Sequence, residues 1–189
     1  MYNKKKFIIA VAIPVLILSA MAVQPVLTLF FGKEILLETR PFDPRDIFRG
    51  DYVELAYKIE EVPLEKFPPE LLALADNSEE KKSVLKKMET VYGILKEDNG
   101  HMILDYISLG KPKDSLYIKG KIPSYYVFLY RDKHSSNPIF IDFGLDRYFV
   151  PENTGKDLEE AARQGKLAAK VKVLNGYGIL IDITSLVSD

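Results

Sequence analysis

From Phe7 to Phe31 the chain reads FIIAVAIPVLILSAMAVQPVLTLFF, 25 residues without a charge. No feature of the sequence limits the fold more. A bilayer core of about 30 Å needs roughly 20 apolar residues of helix, and this run supplies them with room for tilt. Lys4, Lys5 and Lys6 precede it and the first acid, Glu34, comes after it. The positive-inside tendency then keeps the N-terminus in the cytoplasm and puts the remaining chain outside. Pro14 and Pro25 are costly inside a soluble helix but are tolerated in membrane segments. A second reading is a cleaved signal peptide. Phe7–Leu18 would be its apolar region, and Ala20-Met21-Ala22 carries small residues at a cleavage spacing. Against cleavage, the apolar character continues from Val23 to Phe31, which would leave a sticky new terminus. Both readings export the domain past Gly32.

The rest of the 189-residue chain has the size of one ordinary domain. Residues 1–32 are expected to form a basic cytoplasmic tip and anchor, and 33–189 the extracytoplasmic domain. All 27 acidic residues lie at or after Glu34, whereas 23 of the 26 basic residues follow Gly32, a net charge of −4. Such a balance is unsuited to gripping a nucleic-acid backbone. The absence of cysteine excludes disulfides, thiol catalysis and cysteine-based zinc sites.

Strand signals dominate past the anchor. Candidates are Glu34–Thr39, Asp51–Ile59, Thr90–Lys96, Met102–Ile107, Ser115–Lys119, Tyr125–Arg131, Ile139–Phe143, Ala168–Leu174 and Tyr177–Ile183. Asn99-Gly100 and Asn175-Gly176 separate two pairs of them, and Asn-Gly is a strong hairpin signal because both residues accept positive φ. Residues 64–90, with Pro68-Pro69, several leucines and a charged run, read as a helical or mobile insertion. Asp157–Gln164 reads as a short helix stopped by Gly165. The expected class is mainly β (α+β): a transmembrane helix, then an antiparallel sheet, sandwich or open barrel with one or two short helices.

The stretch from Asp43 to Tyr57, DPRDIFRGDYVELAY, raises the functional question. If it alternates as a strand, Asp51, Val53, Leu55 and Tyr57 share the core face, and Gly50, Tyr52, Glu54, Ala56 and Lys58 the other. A carboxylate opening a core-facing row needs a partner, because an isolated buried charge is expensive. Backbone N–H groups of the 45–50 turn, or Arg45, Arg49 or Arg147, are the available donors. Asp51 therefore either pins the turn or lines a pocket. Arg49-Gly50-Asp51 as a displayed adhesion tripeptide fits poorly, since its aspartate already begins a strand. Downstream, Asp146-Arg147-Tyr148-Phe149-Val150-Pro151-Glu152 carries a guanidinium able to pair with a buried carboxylate. The candidate binding set is Arg49, Asp51, Tyr52, Arg147, Tyr148 and Glu152; a structural ion pair is the plainer alternative.

Gly50-Asp51-Tyr52-x-x-Leu55-x-Tyr57 is a full match to the motif after which the GDYXXLXY family of bacterial membrane-anchored proteins is named, and the chain resembles that family. The similar features include the N-terminal apolar helix, the Glu34-x-x-Leu37-x-Thr39 strand, the Arg40-Pro41-x-Asp43-Pro44-Arg45-Asp46 lead-in and the 146–152 segment. The resemblance covers most of the chain, least well at 64–90. It implies a membrane-anchored architecture and, since the family is named for a motif, carries over no catalytic residue.

Catalytic sets are sparse. His101 and His134 sit beside a turn and in a polar loop without clustered carboxylates, so no metal and no cofactor is expected. There is no glycine-rich phosphate loop. The Gly-Asp run is similar to one in β-rich peptidases of the signal-peptidase type, whose serine comes just after the membrane segment. Between Gly32 and Gly50 this chain has only Thr39, which speaks against a Ser-Lys dyad. The expectation is a single-pass protein of the bacterial cytoplasmic membrane whose outer module binds another membrane or envelope protein. The alternatives are a small-ligand or hydrolytic site around Asp51, Arg147 and Glu152, or a secreted protein with a cleaved signal peptide.

Overall fold

In the computed structural model, residues 4–40, 52–69, 90–123, 138–145, 147–149 and 167–185 are described. The apolar run forms one helix, α1 (Lys4–Phe31), with Pro14 and Pro25 inside it. Its side chains are exposed over most of its length, from Phe7 at 61% to Phe31 at 72%. A soluble helix does not leave a continuous apolar surface of that size in water.

Strand then succeeds strand, as the alternation and turn residues predict. β1 (Lys33–Glu38), β9 (Leu167–Leu174) and β10 (Tyr177–Ser185) make one antiparallel sheet in the order β1-β9-β10. β4 (Val91–Asp98), β5 (His101–Ser108) and β6 (Tyr117–Gly120) make a second, in the order β5-β4-β6. Both expected hairpin turns form: Asn99 and Gly100 have φ of 49° and 80°, and Asn175 and Gly176 have 52° and 81°. Among the described residues two short pairs accompany these sheets, β2 (Tyr52–Glu54) with β8 (Arg147–Phe149), and β3 (Glu61–Val62) with β7 (Ile139–Phe140). Single bridges join these pieces: Thr39 with Tyr57, Lys121 with Asp142, and Ile118 with Gly176. The architecture is thus a long apolar helix followed by antiparallel β-sheets.

One hydrophobic cluster draws on nearly every strand. Ile35 and Leu37 of β1, Val171 and Val173 of β9, Val91 and Leu95 of β4, Ile118 of β6 and Ile141 all belong to it. Phe143 lies over two glycines: a Cβ on Gly93 would meet its ring at 3.1 Å and one on Gly120 at 2.8 Å. Small residues on β4 and β6 therefore make the floor on which that ring packs.

Several expectations are refined. The strand expected over Asp51–Ile59 leaves the pleat early: after Glu54 there is one bridge at Tyr57, then a 3-10 turn over Lys58–Glu60. Leu55 and Tyr57 are buried as the alternation predicts, but Ala56 is buried too, at 5%. Strict alternation holds only while the pleat does. A second 3-10 turn, Leu64–Lys66, opens the expected insertion. Tyr125–Arg131, Asp157–Gln164 and most of 64–90 lie outside the described residues.

The helix does not end free of the sheet. Thr28 is fully buried, and its hydroxyl donates to the Gln24 carbonyl at 2.9 Å. Gly32 N–H donates to Thr28 O at 2.9 Å, and a Cβ at Gly32 would sit 3.1 Å from Cβ of Lys172. The Lys172 ammonium donates to the Leu29 carbonyl at 2.6 Å. A cation on an orphan carbonyl of the last turn satisfies that group and complements the helix dipole.

Candidate functional site

The motif divides into two halves. Gly50 and Asp51, with Arg49 before them, lie outside the described residues, as does Glu152. Tyr52 opens β2, and Arg147 and Tyr148 lie in β8. The antiparallel register sets Tyr52 opposite Phe149, Val53 opposite Tyr148 and Glu54 opposite Arg147. Two segments singled out separately in the sequence are therefore one strand pair. Arg147 stands across from Glu54, an acid absent from the candidate set.

The second half, Leu55 to Tyr57, is core. Leu55 is 5% exposed and Tyr57 is fully buried. The Tyr57 phenol donates to the Leu145 carbonyl at 2.8 Å, two residues before β8 begins. Tyr57 also bridges to Thr39 of the β1 end, whose own hydroxyl donates to Leu167 O at 2.8 Å. The motif's last tyrosine thus ties the end of β1, the motif strand and the approach to β8 into one knot. A buried tyrosine usually finds such a partner for its hydroxyl, and this one finds it across the fold.

Glu60 is the residue that the sequence reading missed. The residue is 3% exposed, and its Oε2 accepts the Tyr57 N–H at 2.9 Å. Nothing in its neighbourhood distinguishes it from exposed Glu61; only the 3-10 turn directs one inward and the other out. The nearest readable signal is its spacing, three residues past Tyr57, which suits a carboxylate reaching back to a turn's first N–H.

Beyond Glu60 the chain borders a cleft of about 250 Å³, lined by Glu38, Lys58, Ile59, Glu61, Lys66 and Met102 among others. Its rim is charged and largely paired. Lys58 donates to Glu38, Arg40 to Glu61 at 2.6 Å, and the Lys66 ammonium to the Leu104 carbonyl. His101, the first residue of β5, places Nδ1 3.9 Å from Glu38 Oε1. Apolar atoms of Ile59, Met102 and Leu104 line it too. Lys58 and Glu38 thus engage each other across the rim, Glu61 is held by Arg40, and Lys66 is held by a backbone carbonyl. Among the described residues no group of three His, Asp or Glu side chains is arranged to hold a metal. His134 lies outside them.

The chain matches no curated protein and no solved structure. A family model described as GDYXXLXY protein matches residues 14–183, that is 170 of 189, starting inside α1 and ending in β10. The match takes in the motif, its β8 partner strand and the helix end clamped by Lys172. This chain belongs to the GDYXXLXY family.

Proposed function

We propose that the chain is a membrane-tethered extracytoplasmic module that binds a protein partner and supports an envelope assembly. Residues 1–32 serve as cytoplasmic tip and single-pass anchor, and 33–189 form the outer domain. The observation that carries this reading is the pairing of two properties in α1. Its apolar surface is exposed along the span, while its last turn is built into the domain through Thr28, Gly32 and Lys172. A removable leader has no need of a lysine from β9 on a carbonyl of its last turn. Lys4, Lys5 and Lys6 before the span keep that end in the cytoplasm.

The binding set on this reading is Arg49, Asp51, Tyr52, Arg147, Tyr148 and Glu152, of which Tyr52, Arg147 and Tyr148 lie on the β2–β8 pair. The register of that pair supports a common location, because Tyr52 comes directly after Asp51 and faces Phe149 across the ladder. Opposed acid and base positions, as at Glu54 and Arg147, are what antiparallel strands reward. The test is affinity capture by cross-linking in membranes, comparing full-length protein with Asp51→Ala. Loss of a defined cross-linked partner with an unchanged melting profile supports a binding residue. Loss of the fold assigns Asp51 to the turn alone, and an unchanged partner removes it from the site.

A further inference from the structure

We infer that the helix-exit end of the β1–β9–β10 sheet rests on the anionic phosphate layer of the bilayer, so that the domain is held at a fixed orientation. This rests on the anchor reading above. The length of α1 sets the geometry. Its 28 residues make a helix of about 42 Å, and about 30 Å of that crosses the hydrocarbon. With Lys4–Lys6 among the inner headgroups, the span runs out near Val26. The last turns then lie in the outer headgroup layer. That is where Phe30 and Phe31 are exposed at 77% and 72%, and where Thr28 packs into the domain.

The sheet end at that depth has the composition of an interfacial surface. β1 starts there at Lys33, opposite Val173, and the β9–β10 turn lies beside it. Tyr177, just past the turn, is 37% exposed. Lys119 comes to the same turn through its backbone N–H to Gly176 O at 2.8 Å. Lys172 reaches the last turn of the helix itself. Glu34, an acid next to Lys33 at this end, stands 3.8 Å from Lys170. A chain that is net −4 past Gly32 therefore gathers lysines where its helix leaves the membrane. Lysine and tyrosine at such a boundary place their charged or polar tips among phosphates and their apolar parts below. Each lysine near an anionic surface adds attraction that fades within a Debye length.

The opposite end of β1 lies about 17 Å away along the strand, at Glu38. The β4–β5 turn sits there, since His101 is 3.9 Å from Glu38 and pairs with Asp98. The inferred orientation lifts the charged cleft of Glu38, Lys58 and Glu61 off the bilayer, toward any partner.

The chain has no cysteine, so single labels report cleanly. Full-length Tyr177→Cys, Lys33→Cys and Asp98→Cys proteins carry a fluorophore in phosphatidylcholine vesicles containing headgroup spin-labelled lipid, with or without phosphatidylglycerol. The expected result is quenching several-fold stronger at 177 and 33 than at 98. It rises with phosphatidylglycerol and falls at 177 when Lys33→Glu and Lys119→Glu are added. Equal quenching at all three positions overturns the inference. So does its absence at 177 and 33 while the protein resists alkaline extraction, which leaves the anchor standing. Self-quenching between copies at 177 without lipid quenching assigns the surface to a second chain and also overturns it. Release by alkaline extraction removes both the anchor reading and this one.

Discussion

Tyr57→Phe removes a single oxygen from the middle of the fold. The phenol is fully buried and donates at 2.8 Å to the carbonyl of Leu145, a residue itself 2% exposed. The substitution keeps the ring and its packing, so no large cavity term enters. One buried hydrogen bond is lost, and a carbonyl is left without that donor. The net worth of such a bond is about 1 kcal/mol, and the unsatisfied group raises the cost to about 1–3 kcal/mol. For a domain of this size each kcal/mol lowers the melting temperature by roughly 2–4 °C. The expected drop is therefore about 2–12 °C, read by near-ultraviolet circular dichroism of full-length protein in detergent. Tyr106→Phe, at a tyrosine 47% exposed in β5, is the matched control and should leave the melt unchanged. A Tyr57→Phe melt indistinguishable from that control would refute the claim that this tyrosine ties the motif strand to the approach of β8.

Gly120→Ala puts a Cβ 2.6 Å from the Ile141 side chain and 2.8 Å from the Phe143 ring, and overpacking of this kind costs about 1–3 kcal/mol in the same melt. Glu60→Ala strips the buried acceptor from Tyr57 N–H and is expected to destabilise by at least about 1 kcal/mol, with a broader near-ultraviolet spectrum. Lys58→Ala breaks an exposed pair with Glu38 and should cost under about 1 kcal/mol, shrinking further at high salt. Lys172→Met removes the ammonium from Leu29 O, and hydrogen exchange in the last turn of α1 should speed up while the β4–β5 hairpin stays protected.

Features that rest on local physics were legible in the sequence. The span of α1 comes from 25 uncharged residues, and the two Asn-Gly hairpins from residues that tolerate positive φ. β1, β4, β5, β6, β9 and β10 are close to their expected bounds because each alternates over enough positions to be seen. β3 and β8 were not legible. Two and three residues long, they exist through ladders to β7 and β2, distant in the chain, and carry no periodicity of their own. Alternation puts Ala56 on the outer face, yet the chain abandons the pleat after Glu54 and buries it. Glu60 and the Tyr57 hydroxyl illustrate the same limit at the level of side chains. Pattern marked Tyr57 as inward, but only tertiary structure decides what a buried oxygen meets. Of the candidate set, Tyr52, Arg147 and Tyr148 fall on one strand pair, while Arg49, Asp51 and Glu152 lie outside the described residues.

An α1 that stays attached and holds the domain on the outer side of the membrane has a direct test. Asp98→Cys, an exposed position far from the helix, tests it in intact spheroplasts treated with a membrane-impermeant maleimide carrying a mass tag. The expected result is a washed membrane fraction that holds a chain of full length, 21.5 kDa before tagging, labelled without lysis. A chain labelled only after lysis, or a soluble product beginning at Val23, would contradict it.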